Sequence, residues 1–209
     1  GGPNGSLDPA QFAWLEAQLQ AASGYWLSPT GEVVRRKGNR DRYLMIFSHH
    51  TIGSMDNVSD GSGRLAGPQV RDLLLRYPNV IAWVNGHTHR NQVLPHARAA
   101  GSAVGGGFWE INTAAPIDWP QQSRIIELDD NLDDTLSIFC TIVDHSGPIS
   151  RPGRLTGTAS LASLSRELSA NDWTERSDAR RGDVTDRNVE LLLPDPLSAR
   201  HRHGAPVSA

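Results

Sequence analysis

The chain has 209 residues, of which 38% are hydrophobic, and it contains a single cysteine. That length can bury a hydrophobic core without cross-links, and one cysteine excludes an internal disulfide or a metal cage made of cysteines. Twenty Lys and Arg against 23 Asp and Glu give a net charge of −3, which excludes the basic surface of a typical nucleic-acid-binding protein. No apolar run approaches the roughly 18 residues of a membrane span, so we expect neither nucleic acid nor membrane as partner.

The first predicted element is an α-helix that begins at Pro9. Asp8 is the expected N-cap, and Gln11 completes a capping box with it. Apolar residues then recur at helical spacing on one face: Phe12, Leu15 and Leu19. Residues 25–42 are polar and rich in turn formers, so they predict a solvated loop.

Two short apolar runs, residues 43–47 and 80–84, predict strands that are buried on both faces. The intervening residues 68–77 predict a helix, which makes the whole segment a βαβ unit with parallel strands. Each run ends in a polar loop that contains histidines, SHHT at 48–51 and NGHTH at 85–89. In open α/β sheets the chemistry gathers at the carboxyl ends of the strands, so these loops are the candidate site.

Further strands are predicted over residues 108–111, 123–128 and 135–143, the last two as an antiparallel hairpin. Cys140 lies in an apolar stretch of that hairpin and is expected to be a small core residue.

The amino-acid composition of the chain changes near residue 150. Residues 159–169 predict a helix with Leu161, Leu164 and Leu168 on one face. Charges and prolines then increase, and the end of the chain has the composition of a disordered tail. We therefore expect two parts: 1–149 as the folded portion, and 150–209 as an extension with one helix and little further order.

Three histidines are the expected metal ligands. His87 and His89 stand two residues apart after a buried strand, a spacing that lets both rings point to one side. Neutral imidazole is the commonest protein ligand for a metal. His49 and His50 end the neighbouring strand and supply a third ring; the residues alone do not decide between them.

Other polar residues near the loops are weaker candidates. Asn85 and His96 flank the second histidine loop and are predicted to bind substrate, although a surface role fits His96 as well. Asp118 and Trp119 lie where the chain returns toward the site, and packing is the simpler role for Trp119. Solvated positions are expected for the remaining candidates: Asp56, Asn57, Asp60, His145, His201 and His203.

The two loops, FSHHT at 47–51 and NGHTHRN at 85–91, resemble the last two metal motifs of the calcineurin-like metallophosphoesterases. GSLDPAQFAWLEAQL at 5–19 and WEINTAAPIDWPQQSRIIEL at 109–128 resemble the flanking segments of that family. The resemblance covers about residues 5–145. It is nearest to an actinobacterial subgroup that a twin-arginine export signal often precedes, which implies an exported protein.

The resemblance implies an α/β fold: the C-terminal half of a four-layer α/β/β/α metallophosphoesterase sandwich, with a partly disordered C-terminal tail. It implies hydrolysis of a small phosphoester at two metal ions, with Mn, Fe, Zn or Co favoured by a mixed histidine and carboxylate ligand set. His49 and His87 would bind one metal and His89 the other, while His50 would be the catalytic residue that faces substrate.

The first three motifs of the family have no match in this chain. Those motifs supply Asp-x-His, a bridging Asp, and an Asn with the nearby catalytic His, so we expect them in an upstream half of a longer parent. The isolated chain is then expected to be inactive. Two alternatives stay open: a non-catalytic fragment that binds one metal or none, and a mononuclear zinc hydrolase of another fold that uses His49, His87 and His89.

Overall fold

The computed structural model describes residues 4–58, 63–148 and 153–198. Within these ranges the protein is a mixed α/β structure with three α-helices and three β-sheets. None of the helices described is long and apolar enough to cross a membrane. The helices are α1 (Pro9–Ala21), α2 (Gly67–Leu75) and α3 (Thr158–Asn171). The strands are β1 (Tyr25–Leu27), β2 (Val33–Arg35), β3 (Leu44–Phe47), β4 (Val80–Asn85), β5 (Gln92–Ala97), β6 (Gly107–Asn112), β7 (Gln122–Asp130), β8 (Thr135–Asp144) and β9 (Val189–Pro194).

Helix α1 begins with the predicted capping box. The Asp8 carboxylate accepts the Gln11 N–H at 2.7 Å, and the Gln11 side chain accepts the Asp8 N–H at 3.1 Å. Both contacts satisfy amide groups that lack helical partners. Leu19 is buried in the core and Phe12 packs against that core, so the predicted inner face of the helix is confirmed.

The central sheet has the order β3-β4-β6-β5. Strands β3, β4 and β6 are parallel, and β5 runs antiparallel to β6. The predicted βαβ unit is confirmed, with α2 between β3 and β4. Strand β4 is buried as predicted, and the carboxyl ends of β3 and β4 meet at one edge of the sheet.

Strand β3 departs from the prediction that both of its faces are covered. It is the edge strand of the sheet, its side chains are only half buried, and Phe47 is 70% exposed. Helix α1 covers one face incompletely and leaves Trp14 64% exposed. An apolar groove therefore runs between α1 and β3, lined among others by Trp14, Leu15, Met45 and Phe47.

The predicted hairpin is confirmed as β7 and β8, and Cys140 is buried as expected. A third strand, β9, pairs antiparallel with β8. The expectation that the extension after its helix has little order is therefore wrong for residues 189–194. Leu191 and Leu193 alternate inward and join the core between the two larger sheets. The end of the tail, residues 199–209, lies outside the described residues.

Helix α3 forms where predicted, but its leucine face is not the buried one. Leu161 and Leu168 are 54% and 64% exposed, while Ser160 and Ser163 are buried. The Ser163 hydroxyl donates to the Pro148 carbonyl at 2.7 Å. Small hydroxyl side chains allow the helix to lie close against the chain that leaves β8, and this contact overrides the apolar pattern.

Residues 25–42, predicted as a loop, contain the small β1–β2 hairpin, in which Tyr25 and Leu27 are buried. The layers are therefore helices α1 and α2, the central sheet, and the β7–β9 sheet. One core lies between the helices and the central sheet, and a second lies between the two sheets.

Candidate metal centre

The parallel pairing of β3 and β4 brings the two histidine loops together. The Ser48 N–H donates to the Val84 carbonyl at 3.1 Å, at the end of the ladder. Beyond the strands, the Gly86 N–H donates to the His49 carbonyl, also at 3.1 Å. A main-chain bond thus joins the loops at the point where the imidazoles project.

Three imidazoles converge at this edge. His49 Nε2 lies 3.1 Å from His87 Nδ1, and the candidate ligand nitrogens of His49, His50 and His87 all lie within 4.8 Å of one another. Two nitrogens bound to one zinc at about 2.0–2.1 Å, in tetrahedral geometry, would be roughly 3.3 Å apart. The 3.1 Å separation is that of a hydrogen bond between the two rings, and it also fits two ligands of one cation, with the His50 nitrogen within 4.8 Å of both.

The backbone of the second loop is held in an unusual conformation. His87 and His89 have φ angles of 65° and 52°, in the left-handed region that L-residues seldom adopt. Such positions cost about 1–3 kcal/mol each and persist where the surrounding structure enforces them, often at functional sites. Here the Asn112 amide donates to the Thr88 hydroxyl and holds the loop from the neighbouring strand.

The other histidine loop is packed from the N-terminal side. The Gly5 N–H donates to the Ser54 carbonyl at 2.9 Å. A side chain on Gly5 would collide with the His50 ring, because its Cβ would lie 2.3 Å from Cδ2. Gly5 therefore allows the chain to pass directly against the imidazole.

Burial lowers the pKa of both His50 and His87, and the neighbouring imidazoles lower it further. Partial removal from water penalises the charged imidazolium form, and the charge of a neighbouring ring would penalise it further. Lower pKa values keep the rings neutral, and a neutral ring has the free lone pair that a metal requires.

His89 stands on another side of the site. Its Nδ1 lies 2.5 Å from the Asp118 carboxylate, and Arg180 Nη1 lies 3.6 Å from the same oxygen. The three mutually close rings are therefore His49, His50 and His87, whereas the sequence predicted His49, His87 and His89 as ligands and His50 as catalytic. These role assignments remain predictions.

The histidines open into a cleft of about 750 Å³. Its lining includes residues that the sequence did not mark as candidates, among them Asn4, Glu175 and Arg180. Glu175 and Arg180 belong to the extension, so residues beyond the expected domain boundary face the histidines. No local pattern marks them, because they reach the site only through the docking of the extension.

Asn85 and His96, the predicted substrate-binding residues, are both turned toward a buried carboxylate. Asn85 Nδ2 donates to Glu110 at 2.8 Å, and His96 Nε2 lies 2.9 Å from its other oxygen. The Ile52 N–H donates to the same carboxylate at 2.9 Å. In the structure as described, neither residue lies among those that line the cleft.

The Glu110 carboxylate connects the two histidine loops, because it accepts hydrogen bonds from a residue next to the first and from the residue that begins the second. Burial alone raises its pKa, but hydrogen bonds from His96, the Ile52 N–H and Asn85 outweigh that effect, and the net pKa is lowered. The carboxylate thus remains ionised beneath the site. Sequence inspection missed it because a single Glu in an apolar strand carries no motif.

The remaining candidates lie at the margin or elsewhere. Asp56 accepts from the Asn4 amide at 2.6 Å, and His145 contacts Gln121 and Arg166. Trp119 lies beneath the guanidinium groups of two arginines, Arg176 and Arg181. Asp60, His201 and His203 fall outside the described residues.

No protein-family model, curated protein or solved structure matches this chain. The functional interpretation therefore rests on the residues and on the geometry of the cleft.

Proposed function

We propose that this chain is the C-terminal half of a calcineurin-like metallophosphoesterase that hydrolyses a small phosphoester at a dinuclear metal site. The observation that carries the proposal is the convergence of imidazoles from two strand ends, with 3.1 Å between His49 Nε2 and His87 Nδ1. Two further observations support it: a main-chain hydrogen bond joins the two loops, and the backbone at His87 lies in the left-handed region.

His49 and His87 would hold one cation, with His50 within reach as a third ligand or as a group that faces substrate. His89 would serve the second cation, together with ligands from the upstream half. Bound transition metals would supply a nucleophilic hydroxide and neutralise charge on the phosphoryl oxygens. The donor set fits Mn, Fe, Zn or Co better than Mg or Ca, because imidazole nitrogen is a softer ligand than oxygen.

The groove between α1 and β3 supports the expected upstream half. Strand β3 is an edge strand with half-buried apolar side chains, and Phe47 and Trp14 are largely exposed beside it. A further strand would both pair with its main chain and cover these side chains. We propose that residues upstream of Gly1 in the parent fill this groove and complete the four-layer sandwich.

A mononuclear hydrolase site is the second candidate. The observation that favours it is the mutual closeness of the His49, His50 and His87 imidazoles. Three such ligands are enough for a zinc site with an open fourth position. In that case His89 would bind no metal, and the isolated chain would already contain the complete ligand set.

The test is hydrolysis of p-nitrophenyl phosphate and bis(p-nitrophenyl) phosphate by the full-length parent with added Mn²⁺, together with its metal content. We expect turnover, two metals per chain, and loss of activity in His87→Ala. The control variant His145→Ala alters a histidine that contacts Gln121 and Arg166 and should remain active.

One metal per active chain would favour the mononuclear site. No turnover of either ester by the metal-loaded parent would refute the proposal. The isolated 209 residues should be inactive, and robust hydrolysis by them would contradict the need for an upstream half.

A further inference from the structure

We infer that the extension completes the candidate site: Asp118 positions the His89 ring, and Arg180 of the extension supports Asp118 through an ion pair. The inference rests on the proposed function only in taking His89 to be a metal ligand. Arg180 and Asp118 are positioning residues: they act through His89.

The contact between His89 and Asp118 determines which ring nitrogen of His89 is available. Asp118 Oδ2 lies 2.5 Å from Nδ1, so the carboxylate accepts the Nδ1 proton and leaves the Nε2 lone pair free. A free imidazole has no such constraint. Carboxylate partners of this kind fix the tautomer and orientation of metal-binding histidines and make them more basic ligands.

Arg180 is held at the site by a hydrogen bond to Glu175, and it forms a longer ion pair with Asp118. Its Nη2 lies 2.5 Å from Glu175, and its Nη1 lies 3.6 Å from Asp118. The Arg180 side chain is 20% exposed. Because both neighbours are negatively charged, they offset the charge of the guanidinium, which favours a positioning role over direct capture of an anionic substrate.

The turn that carries Arg180, Asp178–Arg181, is anchored to the strand that follows the second histidine loop. The Asn91 N–H donates to the Arg180 carbonyl at 2.9 Å, and the Val93 N–H donates to the Asp186 carboxylate at 2.9 Å. Gly182 packs so closely that a Cβ there would lie 2.4 Å from the Asn91 carbonyl oxygen.

These anchors lie only a few residues from His89 in sequence. The segment that carries Arg180 is therefore built against the loop it supports, and its contact with the site does not depend on a chance encounter of surface side chains.

The experiment is to determine the tautomer of His89 by nitrogen-15 NMR of the imidazoles in the metal-free 209-residue chain at pH 8.5. We expect a proton on Nδ1 and a bare Nε2 in the wild type. Asp118→Ala should move the proton to Nε2, and Arg180→Ala should give a mixture that Arg180→Lys partly restores. Arg71→Ala is the control, because Arg71 pairs with Asp72 on the exposed surface of α2 and should leave the tautomer unchanged.

A second readout is the affinity of the parent for Zn²⁺, which should fall by about tenfold or more in Asp118→Ala. A wild-type His89 with its proton on Nε2 would overturn the inference, and so would an Arg180→Ala chain with unchanged tautomer and unchanged zinc affinity. The tautomer is read without metal or substrate. Failure of the parent to hydrolyse phosphoesters would therefore refute the proposed function while leaving this inference to stand on its own result.

Discussion

Replacing Glu110 by Gln should destabilise the chain and loosen both histidine loops together. The Glu110 carboxylate accepts hydrogen bonds from the Ile52 N–H, from Asn85 and from His96, at 2.9, 2.8 and 2.9 Å. Its side chain is only 5% exposed, so water cannot replace a lost partner. Ile52 follows the first loop and Asn85 begins the second, which is why one substitution affects both.

The magnitude follows from counting donors. Glutamine keeps the shape but offers one acceptor oxygen. With that oxygen at the Oε1 position, which accepts from the Ile52 N–H and Asn85, the amide N–H₂ group faces the His96 ring. A hydrogen bond to a charged group contributes about 1.5–3 kcal/mol, and a buried donor left unpaired costs about 1–3 kcal/mol. We therefore expect Glu110→Gln to lower the free energy of unfolding by about 3 kcal/mol.

The assay is urea unfolding at pH 7, followed by tryptophan fluorescence, with the exposed Glu127→Gln on β7 as control. The pKa of Glu110 is lowered in the folded state, so its stabilisation is present above the ordinary carboxyl value of 4.5 and is lost as the pH falls through the lowered value. The difference between wild type and Glu110→Gln should therefore shrink in acid. A loss under about 0.5 kcal/mol at pH 7, the range of ordinary surface substitutions, would refute the role given to this carboxylate.

Three further predictions concern the cluster and the core. Because the pKa values of His50 and His87 are lowered from 6.5, the folded chain binds protons at these rings less readily than the unfolded chain does. The free energy of unfolding should therefore fall as the pH drops below 6.5. Urea midpoints measured from pH 7.5 to 5 test this, and a flat profile would contradict it. Cys140 is buried and its pKa is raised by that burial, so Ellman's reagent should react with it only after unfolding, and rapid labelling of native protein would count against the core position. Gly67→Ala would place a Cβ 2.0 Å from the Ile52 carbonyl oxygen, so its urea midpoint should drop clearly. Gly101→Ala, in the loop before β6, should lose less, because a Cβ there meets nothing within 4 Å although φ is +82°.

Sequence patterns predicted the elements whose stability is local or strongly periodic. The capping box of α1, the inner face of the same helix and the β7–β8 hairpin all follow from spacing and turn chemistry within one segment. The βαβ unit was also predictable, because a parallel pair needs a crossover and the two apolar runs leave room for one helix.

The errors arose where distant contacts decide the outcome. Strand β9 forms because β8 offers a partner and the core between the sheets receives Leu191 and Leu193, which the polar composition around it conceals. In α3 the buried Ser163 outweighs the leucines because its hydroxyl bonds to Pro148. The sequence of β3 predicts a strand that is covered on both faces, but within the described residues β3 is the edge strand of its sheet.

In the candidate site, too, residues marked by a local pattern were predictable, and residues that act through distant contacts were not. His49, His50, His87 and His89 were predictable, since all four follow strand ends of one βαβ unit. Glu110 and Arg180 were not, because each acts through a contact between segments far apart in sequence. The split of the four histidines into a close group of three and a separate His89 with Asp118 is likewise a property of three dimensions.

The central claim is that His49 and His87 share one cation, with His50 within reach of it. Calorimetric titration of the 209-residue chain with Zn²⁺ tests it most directly, with His49→Ala and His87→Ala as variants and His145→Ala as control. We predict at least one zinc bound per chain, lost in the first two variants and retained in the control. No zinc binding, or binding that survives His87→Ala unchanged, would contradict the claim.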